Sequence, residues 1–374
     1  MTNIVIAGYK RTPFTLARKG GLTRVRPDDL AVSTVQALLQ QTGIEGEAVE
    51  DLILGCAFPE GEQGFNMARL VALLSGLPQS VGGVTVNRFC GSSMQAVHQA
   101  AGSILMGAGD AFICAGVESM TRIPMTGFNP MPNPRLAEKV PGAYMSMGET
   151  AENLARQYKI SRSEQAQFAL ASQQKAAKAR DEGRLTQEIV SVEGVQIDGC
   201  IRPETTLETL AELPPAFDEN GSVTAGTASP LTDGAAAVLV CSEAFARRHG
   251  LDILASIRSV AISGCAPEVM GIGPVISSRK ALQRAGLQMK DIDLVELNEA
   301  FASQSIACVR DLELDMSRVN IDGGAIALGH PLGASGARIT GKAAALLKRE
   351  GKQFALVTQC IGGGQGIATV LEAV

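Results

Sequence analysis

Residues 37–56, ALLQQTGIEGEAVEDLILGC, and residues 281–298, ALQRAGLQMKDIDLVELN, follow one pattern. Each reads as an amphipathic helix closed by glycine (Gly43, Gly286), then an acidic turn, then a β-like run. Residues 109–118, GDAFICAGVE, likewise resemble 352–362, KQFALVTQCIG, as short apolar strands that follow a long helix. The starts also correspond, NIVIAGYKRTP at 3–13 with ILASIRSVAIS at 253–263. A unit that alternates strand with helix must bury its sheet under helices. The repeat therefore predicts two α/β halves of roughly 120 residues each.

An insertion separates the halves. Residues 119–147 form a Met/Pro/Gly tract with Met120, Met125, Met131, Met145 and Met147. It reads either as an irregular surface excursion or as an apolar wall for a flexible substrate or a partner. A capped helix then begins at Ser161, where Glu164 completes a capping box, and runs to Gly183. Its basic residues Lys175, Lys178 and Arg180, with Arg184 just beyond, read as a solvated face. The expected division is 1–118 with 232–252, an inserted loop domain at 119–231, and 253–374.

The 374-residue chain is 45% hydrophobic and 19% charged, which is enough for a large core. Its net charge of −5, with no basic run interleaved with aromatics, argues against nucleic acid. No apolar stretch approaches membrane-spanning length. No secretion signal or peroxisomal tripeptide is visible, so the expected compartment is cytoplasmic. The eight cysteines form no CxxC pair and fit neither a zinc site nor a disulfide framework. Cys114, Cys241 and Cys265 lie in apolar runs and read as small buried hydrophobes. Cys90 and Cys360 differ, because glycine surrounds them.

Four places can hold chemistry. In TVNRFCGSSMQAVHQAAGSI, residues 85–104, Cys90 falls where a strand turns into a helix. It is either a packing cysteine or a nucleophile whose thiolate the helix N-terminus stabilises. In GGAIALGHPLGASGAR, residues 323–338, His330 sits between Gly329 and Pro331, on a rigid loop suited to a positioned base. A tight turn with an exposed imidazole is the bland alternative; His98 and His249 read as structural or solvated. In TQCIGGGQG, residues 358–366, Cys360 enters three glycines whose amides could face a developing negative charge or a phosphate. In VELNEAFASQ, residues 295–304, Asn298 is a helix cap or a holder of water or of a substrate carbonyl. Together the set suits acyl transfer through a thioester, with one Cys as nucleophile, His activating it, and the other Cys moving protons.

These motifs, in this order, closely resemble the thiolase family. NRFCGSSMQAV at 87–97, VTAGTASPLTDGAAAV at 223–238, NEAFA at 298–302, GGAIALGHPLGASGAR at 323–338 and QCIGGGQG at 359–366 carry the likeness, which covers essentially the whole chain. It implies an α/β thiolase fold, with two similar βαβ halves in a layered αβαβα arrangement packed sheet against sheet, and an inserted loop domain. It implies Cys90 as the acylated nucleophile, His330 as its activator and Cys360 as the acid/base thiol. Oxyanion sites map onto His330 with a water held by Asn298, and onto the backbone N–H groups of Cys90 and Gly362. Substrate and coenzyme A contacts map onto Arg202, Ser229, Met270, Phe301 and Met147, with Arg202 suited by charge to a phosphate. Coenzyme A would be a co-substrate, and no metal or permanently bound cofactor is implied.

Family members specialised for acetoacetyl-CoA commonly carry His before the Met-Gly of the MGxTAE motif. Here SMGETAENLA has Ser146. GSS after Cys90, IRPETT at 201–206 and GTASPLTDG look more like β-oxidation 3-ketoacyl-CoA thiolases. The alternatives are an acetoacetyl-CoA thiolase working in the condensing direction and a non-catalytic acyl-CoA-binding subunit. A decarboxylating ketoacyl synthase is disfavoured by Cys360, in whose place it would use a second histidine, or His plus Asn. The resemblance also implies a homodimer or a dimer of dimers, within a β-oxidation complex in some relatives.

Overall fold

The computed structural model describes residues 2–374. Ten strands are β1 (Ile4–Arg11), β2 (Thr15–Leu16), β3 (Asp51–Gly55), β4 (Gly82–Val86), β5 (Ala111–Ser119), β6 (Thr232–Ser242), β7 (Ala255–Gly264), β8 (Leu294–Leu297), β9 (Phe354–Ile361) and β10 (Gln365–Glu372). They follow the order β4-β3-β5-β6-β1-β7-β10-β9-β8, with β2 paired to β6. The path is two equivalent sheets. β3, β4 and β5 pair in parallel in the first half, as β8 and β9 do in the second. A parallel bridge from Val295 to Val319 stands where the first half has β4.

One feature departs from two separate facing sheets. β1 and β7, the corresponding starts of the halves, pair antiparallel through Val5–Ser256 and Ile6–Ala255. The sheets are therefore hydrogen-bonded edge to edge there while their faces still enclose a shared layer.

That layer follows from strand alternation, since successive side chains point to opposite faces. Leu52, Ile113 and Leu239 face one way, onto the outer helices Pro27–Thr42 and Met67–Leu74. Ile53, Phe112 and Val240 face the other way, onto helices Ser92–Leu105 and Leu332–Glu350. Val357, Ile361 and Ile367 of the second sheet close over the same two helices. Leu356, Ala368 and Val370 face outward onto helices Gly273–Ala285 and Ala302–Leu312. Five layers result, with one middle helix from each half. Fully burying each Leu, Val or Ile here is worth about 1.5–3 kcal/mol. The middle helices approach closely at Gly336, where a methyl group would lie 2.3 Å from the Met94 amide nitrogen.

Local signals set the helix ends. Gly43 and Gly286 close their helices in the left-handed region, at φ 67° and 71°. Ser161 and Glu164 form the expected capping box on helix Arg162–Asp181, a device worth about 0.5–2 kcal/mol.

The chain leaves β5 after Ser119 and returns at Thr232 to pair antiparallel with it. The intervening segment belongs by sequence to the first half but lies against the second. Helices Met147–Gln157 and Arg162–Asp181 both pack on helix Ala302–Leu312. Two residues expected on a solvated face do otherwise. Lys175 donates to the Val319 carbonyl at 2.8 Å, and Arg184 pairs with buried Asp322. A buried ionic chain fixes the insert further, from Arg11 through Asp198 (2.7 Å) and Glu188 (2.8 Å) to Lys342 (3.0 Å).

Candidate active site

Cys90 stands between β4 and the first middle helix, at the strand-to-helix junction that the sequence pattern marks. The helix begins at Ser92 with Gly91 as its N-cap, so Cys90 lies one residue outside the first turn. The amides that reach its sulfur are its own and that of Gly362. They lower its proton affinity, yet burial outweighs them and pushes the thiol up to about 11. Burial thus works against the helix-stabilised thiolate that the sequence pattern suggests and favours the thiol. Phe89, just before it, has φ 41°, a left-handed conformation unusual for an aromatic residue. The Ser92 hydroxyl accepts from the Arg88 N–H at 2.9 Å and donates to the Phe89 carbonyl at 2.6 Å, which braces that turn. The Gln359 side-chain amide donates to the Cys90 carbonyl.

His330 occupies the matching place before the second middle helix. Gly329, at φ 100°, reverses the chain into it, and a methyl group there would meet Thr232 at 2.7 Å. The Ser335 hydroxyl donates to the Pro331 carbonyl at 3.0 Å and so accepts from His330 Nδ1–H at 2.5 Å. That leaves a lone pair on Nε2, toward which Asn298 Nδ2 donates at 3.3 Å. Burial, with a smaller effect from Arg338, pushes the imidazole down to about 3. It is a neutral base held by both nitrogens.

Asn298 directly follows β8, and its backbone N–H donates to the Thr358 carbonyl at 3.0 Å. Its neighbour Glu299 is buried, accepting from Ser172 Oγ (2.6 Å), Asn320 Nδ2 (2.7 Å) and the Ile326 amide (3.2 Å). These bonds hold the loop that presents Asn298. Sequence reasoning passed over Asn320, Gln359 and Ser335, and took Glu299 only as the polar neighbour of Asn298. Only the adjacency of Glu299 to Asn298 was a visible cue.

Cys360 is fully buried near the end of β9, and its thiol is pushed well above the ordinary range by burial, then by Cys90. It packs with Met147, Met270, Phe301, Ala300 and Ala228 in one apolar cluster. Phe217 meets Phe301 edge to face at 5.8 Å. Ser229 reaches the same place through its N–H, which donates to the Ala300 carbonyl at 2.9 Å. Cys90 belongs to a separate apolar wall of Ala57, Met120 and Leu332, with Phe58 alongside. Gly362 lies between the two environments: a methyl group on it would sit 3.3 Å from Met147 Sδ and 3.7 Å from Phe89. Arg202 is half-buried, and its backbone N–H donates to Gln173 at 2.8 Å.

Of the other cysteines, Cys114 and Cys241 are fully buried as expected, whereas Cys265 is half-exposed. His98 is buried against Thr369 at 2.8 Å, and His249 is exposed and stacked on Phe245.

Two thiols, a neutral imidazole and an amide, delivered by strand ends and by the loops before the two middle helices of a five-layered duplicated α/β fold, define an acyltransferase of the thiolase type. The chain belongs to the thiolase family: residues 4–244 match its N-terminal domain and 251–373 its C-terminal domain. It is 48% identical over 389 residues to a 3-ketoacyl-CoA thiolase of Bacillus subtilis (strain 168), covering all of both chains. It is 49% identical over 386 residues to one of Shewanella loihica, again over all of both. Human mitochondrial 3-ketoacyl-CoA thiolase, solved in complex with CoA, superposes with a TM-score of 0.92 at 40% identity, over 100% of this chain and 98% of that one.

Proposed function

We propose that the protein cleaves 3-ketoacyl-CoA by CoA-dependent retro-Claisen chemistry, yielding acetyl-CoA and an acyl-CoA two carbons shorter. The observation that carries this reading is the set of two buried thiols, Cys90 and Cys360, with His330 and Asn298 meeting at 3.3 Å, in a chain alike over its full length to 3-ketoacyl-CoA thiolases. His330 Nε2 takes the Cys90 proton, and the thiolate attacks the C3 carbonyl. The Cys90 and Gly362 amides face the oxyanion. The C2–C3 bond then breaks, and the acetyl-CoA carbanion takes the proton of Cys360. Asn298 and His330 stabilise the thioester oxygen of that enolate. In the second half-reaction the Cys360 thiolate deprotonates incoming CoA, which attacks the Cys90 thioester. Cys90 leaves as thiolate and recovers its proton from His330. Met147, Met270, Phe301 and Ser229 line the thioester side, and Arg202 serves a CoA phosphate further out.

Ser146 bears on the choice of substrate. Its side chain accepts from the Glu149 amide and caps helix Met147–Gln157, so it is committed to the fold. This supports 3-ketoacyl-CoA of β-oxidation over a dedicated acetoacetyl-CoA enzyme. Turnover of a long-chain 3-ketoacyl-CoA against acetoacetyl-CoA, with CoA and with Cys90→Ala as control, tests the reading. Preference for acetoacetyl-CoA would reverse the subtype. No CoA-dependent cleavage of either by folded protein would favour a binding subunit.

The parts divide as 1–118 with 232–252, 119–231 and 253–374 in this reading, since the segment after β5 returns to pair beside it. A homodimer is supported by β4, an edge strand with half-exposed side chains, beside exposed Phe65, Leu70, Leu73 and Leu74. Eight unpaired cysteines support a reducing, cytoplasmic setting. No helix among the described residues is long and apolar enough to cross a membrane.

A further inference from the structure

Glu118 is buried beside Cys90, and the steps above give it no part. It is 2% exposed, and four N–H groups donate to it. The amides of Ala57 (2.8 Å) and Gly333 (2.9 Å) donate to Oε2. The Phe58 amide (3.2 Å) and Gln63 Nε2 (2.7 Å) donate to Oε1, with the Cys56 thiol at 3.8 Å. None of the four N–H groups can accept a proton, so a neutral carboxyl would turn its own hydrogen against a donor. Burial raises the proton affinity of Glu118, and the Ala57, Gly333 and Phe58 amides with Gln63 act against it; four N–H donors with no acceptor among them are the geometry of a held carboxylate.

Its partners come from both sides of the site. Ala57 forms part of the apolar wall around Cys90, and the Phe58 ring lies 5.9 Å from that of Phe89. Gly333 belongs to the first turn of the helix that follows His330, where a negative charge is favourable. The repeat gives a second, independent sign. Gly55 pairs with Gly116 in the first half as Leu297 pairs with Thr358 in the second. One step past β3 and β8 stand Cys56 and Asn298. Two steps past the paired residues on β5 and β9 stand Glu118 and Cys360. The first half thus places a fixed anion where the second places its acid/base thiol.

We propose that Glu118 is a positioning residue, a carboxylate that ties the helix of His330 to the wall of Cys90 and keeps base and thiol in register for proton transfer. This rests on the thiolytic reading above.

The test compares wild type, Glu118→Gln and Glu118→Asp in CoA-dependent cleavage, and in iodoacetamide alkylation of Cys90 against pH without substrate. Gln keeps the shape, loses the charge and turns an NH₂ against N–H donors; Asp keeps the charge and shortens the reach. Glu118→Gln is expected to lower kcat about 10²-fold with KM nearly unchanged. Its alkylation midpoint should move to lower pH, because the anion near the sulfur is gone. The thiol then ionises more readily while turnover slows. Glu118→Asp should keep the wild-type midpoint with an intermediate kcat. The other titratable groups of the site, Cys56, His330 and Cys360, stay in place in both variants.

Unchanged kcat in Glu118→Gln overturns the proposal. So does a loss of kcat that tracks a fall in Tm while the alkylation midpoint stays put. Should Glu118→Gln fail to fold, wild-type kcat in Glu118→Asp overturns it. An inactive wild type would instead sink the thiolytic reading, while the alkylation shift still reports the charge of Glu118.

Discussion

The two halves of the molecule present the same three backbone positions to the site and fill them with different chemistry. The first offers Cys56, Cys90 and Glu118; the second offers Asn298, His330 and Cys360. Cys90 and His330 each stand two residues before a middle helix, at Ser92 and Leu332. Their environments push them in opposite directions, the thiol up to about 11 and the imidazole down to about 3, for the same reason: burial favours the neutral form of each. Duplication of a strand–helix unit therefore places the functional groups, and substitution at equivalent places separates nucleophile from base. Glycine serves the arrangement at the tightest approaches and asparagine, serine and glutamate hold the loops.

The strongest way to break this comparison is to remove one member of each pair. Cys90→Ala should abolish cleavage, by on the order of 10⁵-fold in kcat. Cys56→Ala, at the place equivalent to Asn298, should leave kcat within about threefold and lower stability by roughly 1 kcal/mol through lost packing. Steady-state kinetics and urea unfolding on the two variants decide it. Comparable activity loss in both would mean that Cys56 takes part in the chemistry and that the halves are less divided in role.

Asn298→Ala is the next largest effect. Removing one donor to a developing oxyanion typically costs about 10²–10³-fold in kcat. Asn298 also donates to His330 Nε2, so the variant should lose kcat with little change in KM. A rise in KM at constant kcat would assign Asn298 to binding alone.

The resting thiol gives a sharper, smaller test. With Cys90 pushed up to about 11, alkylation of the free enzyme should rise about tenfold per pH unit from 7 to 10. A plateau near pH 7 would mean that a thiolate already exists without substrate, against the burial described here. Mass spectrometry should place the label on Cys90 before Cys360, whose thiol is pushed up by the Cys90 sulfur as well as by burial.

Much of this was legible in the sequence because it is local. Two glycine-closed helices, two matching apolar strands and the capping box at Ser161 are patterns of neighbours along the chain, and each appears where its residues predict. The cysteine–histidine–cysteine set stood out because glycine lies near each member and proline follows His330. What was not legible depends on distant contacts. Cys90 looked like a helix-stabilised thiolate because burial cannot be read from TVNRFCGSS, and burial reverses the direction of its shift. Glu118 drew no functional reading within GDAFICAGVE, since its donors come from residues 57, 58, 63 and 333. Lys175 and Arg184 looked solvated because their partners lie in the second half.

The smallest expected effect concerns His98, on the middle helix of the first half, and Thr369 across from it in the second. Its Nε2 lies 2.8 Å from the Thr369 hydroxyl, and burial pushes the imidazole down to about 3. An unfolded chain takes up a proton near pH 6.5, which the native state refuses until about pH 3. The contribution of His98 to stability is therefore intact above pH 6.5 and declines as pH falls through that window. Glu296, pushed up to about 7 by burial, acts in the opposite direction between its two values, so the raw acid curve mixes the two. The difference between wild type and His98→Gln isolates the histidine. Urea unfolding at pH 7 and pH 5 should show wild type losing about 2 kcal/mol more than the variant. Equal losses would mean that His98 keeps a near-ordinary proton affinity, and hence that water reaches the layer between the two sheets.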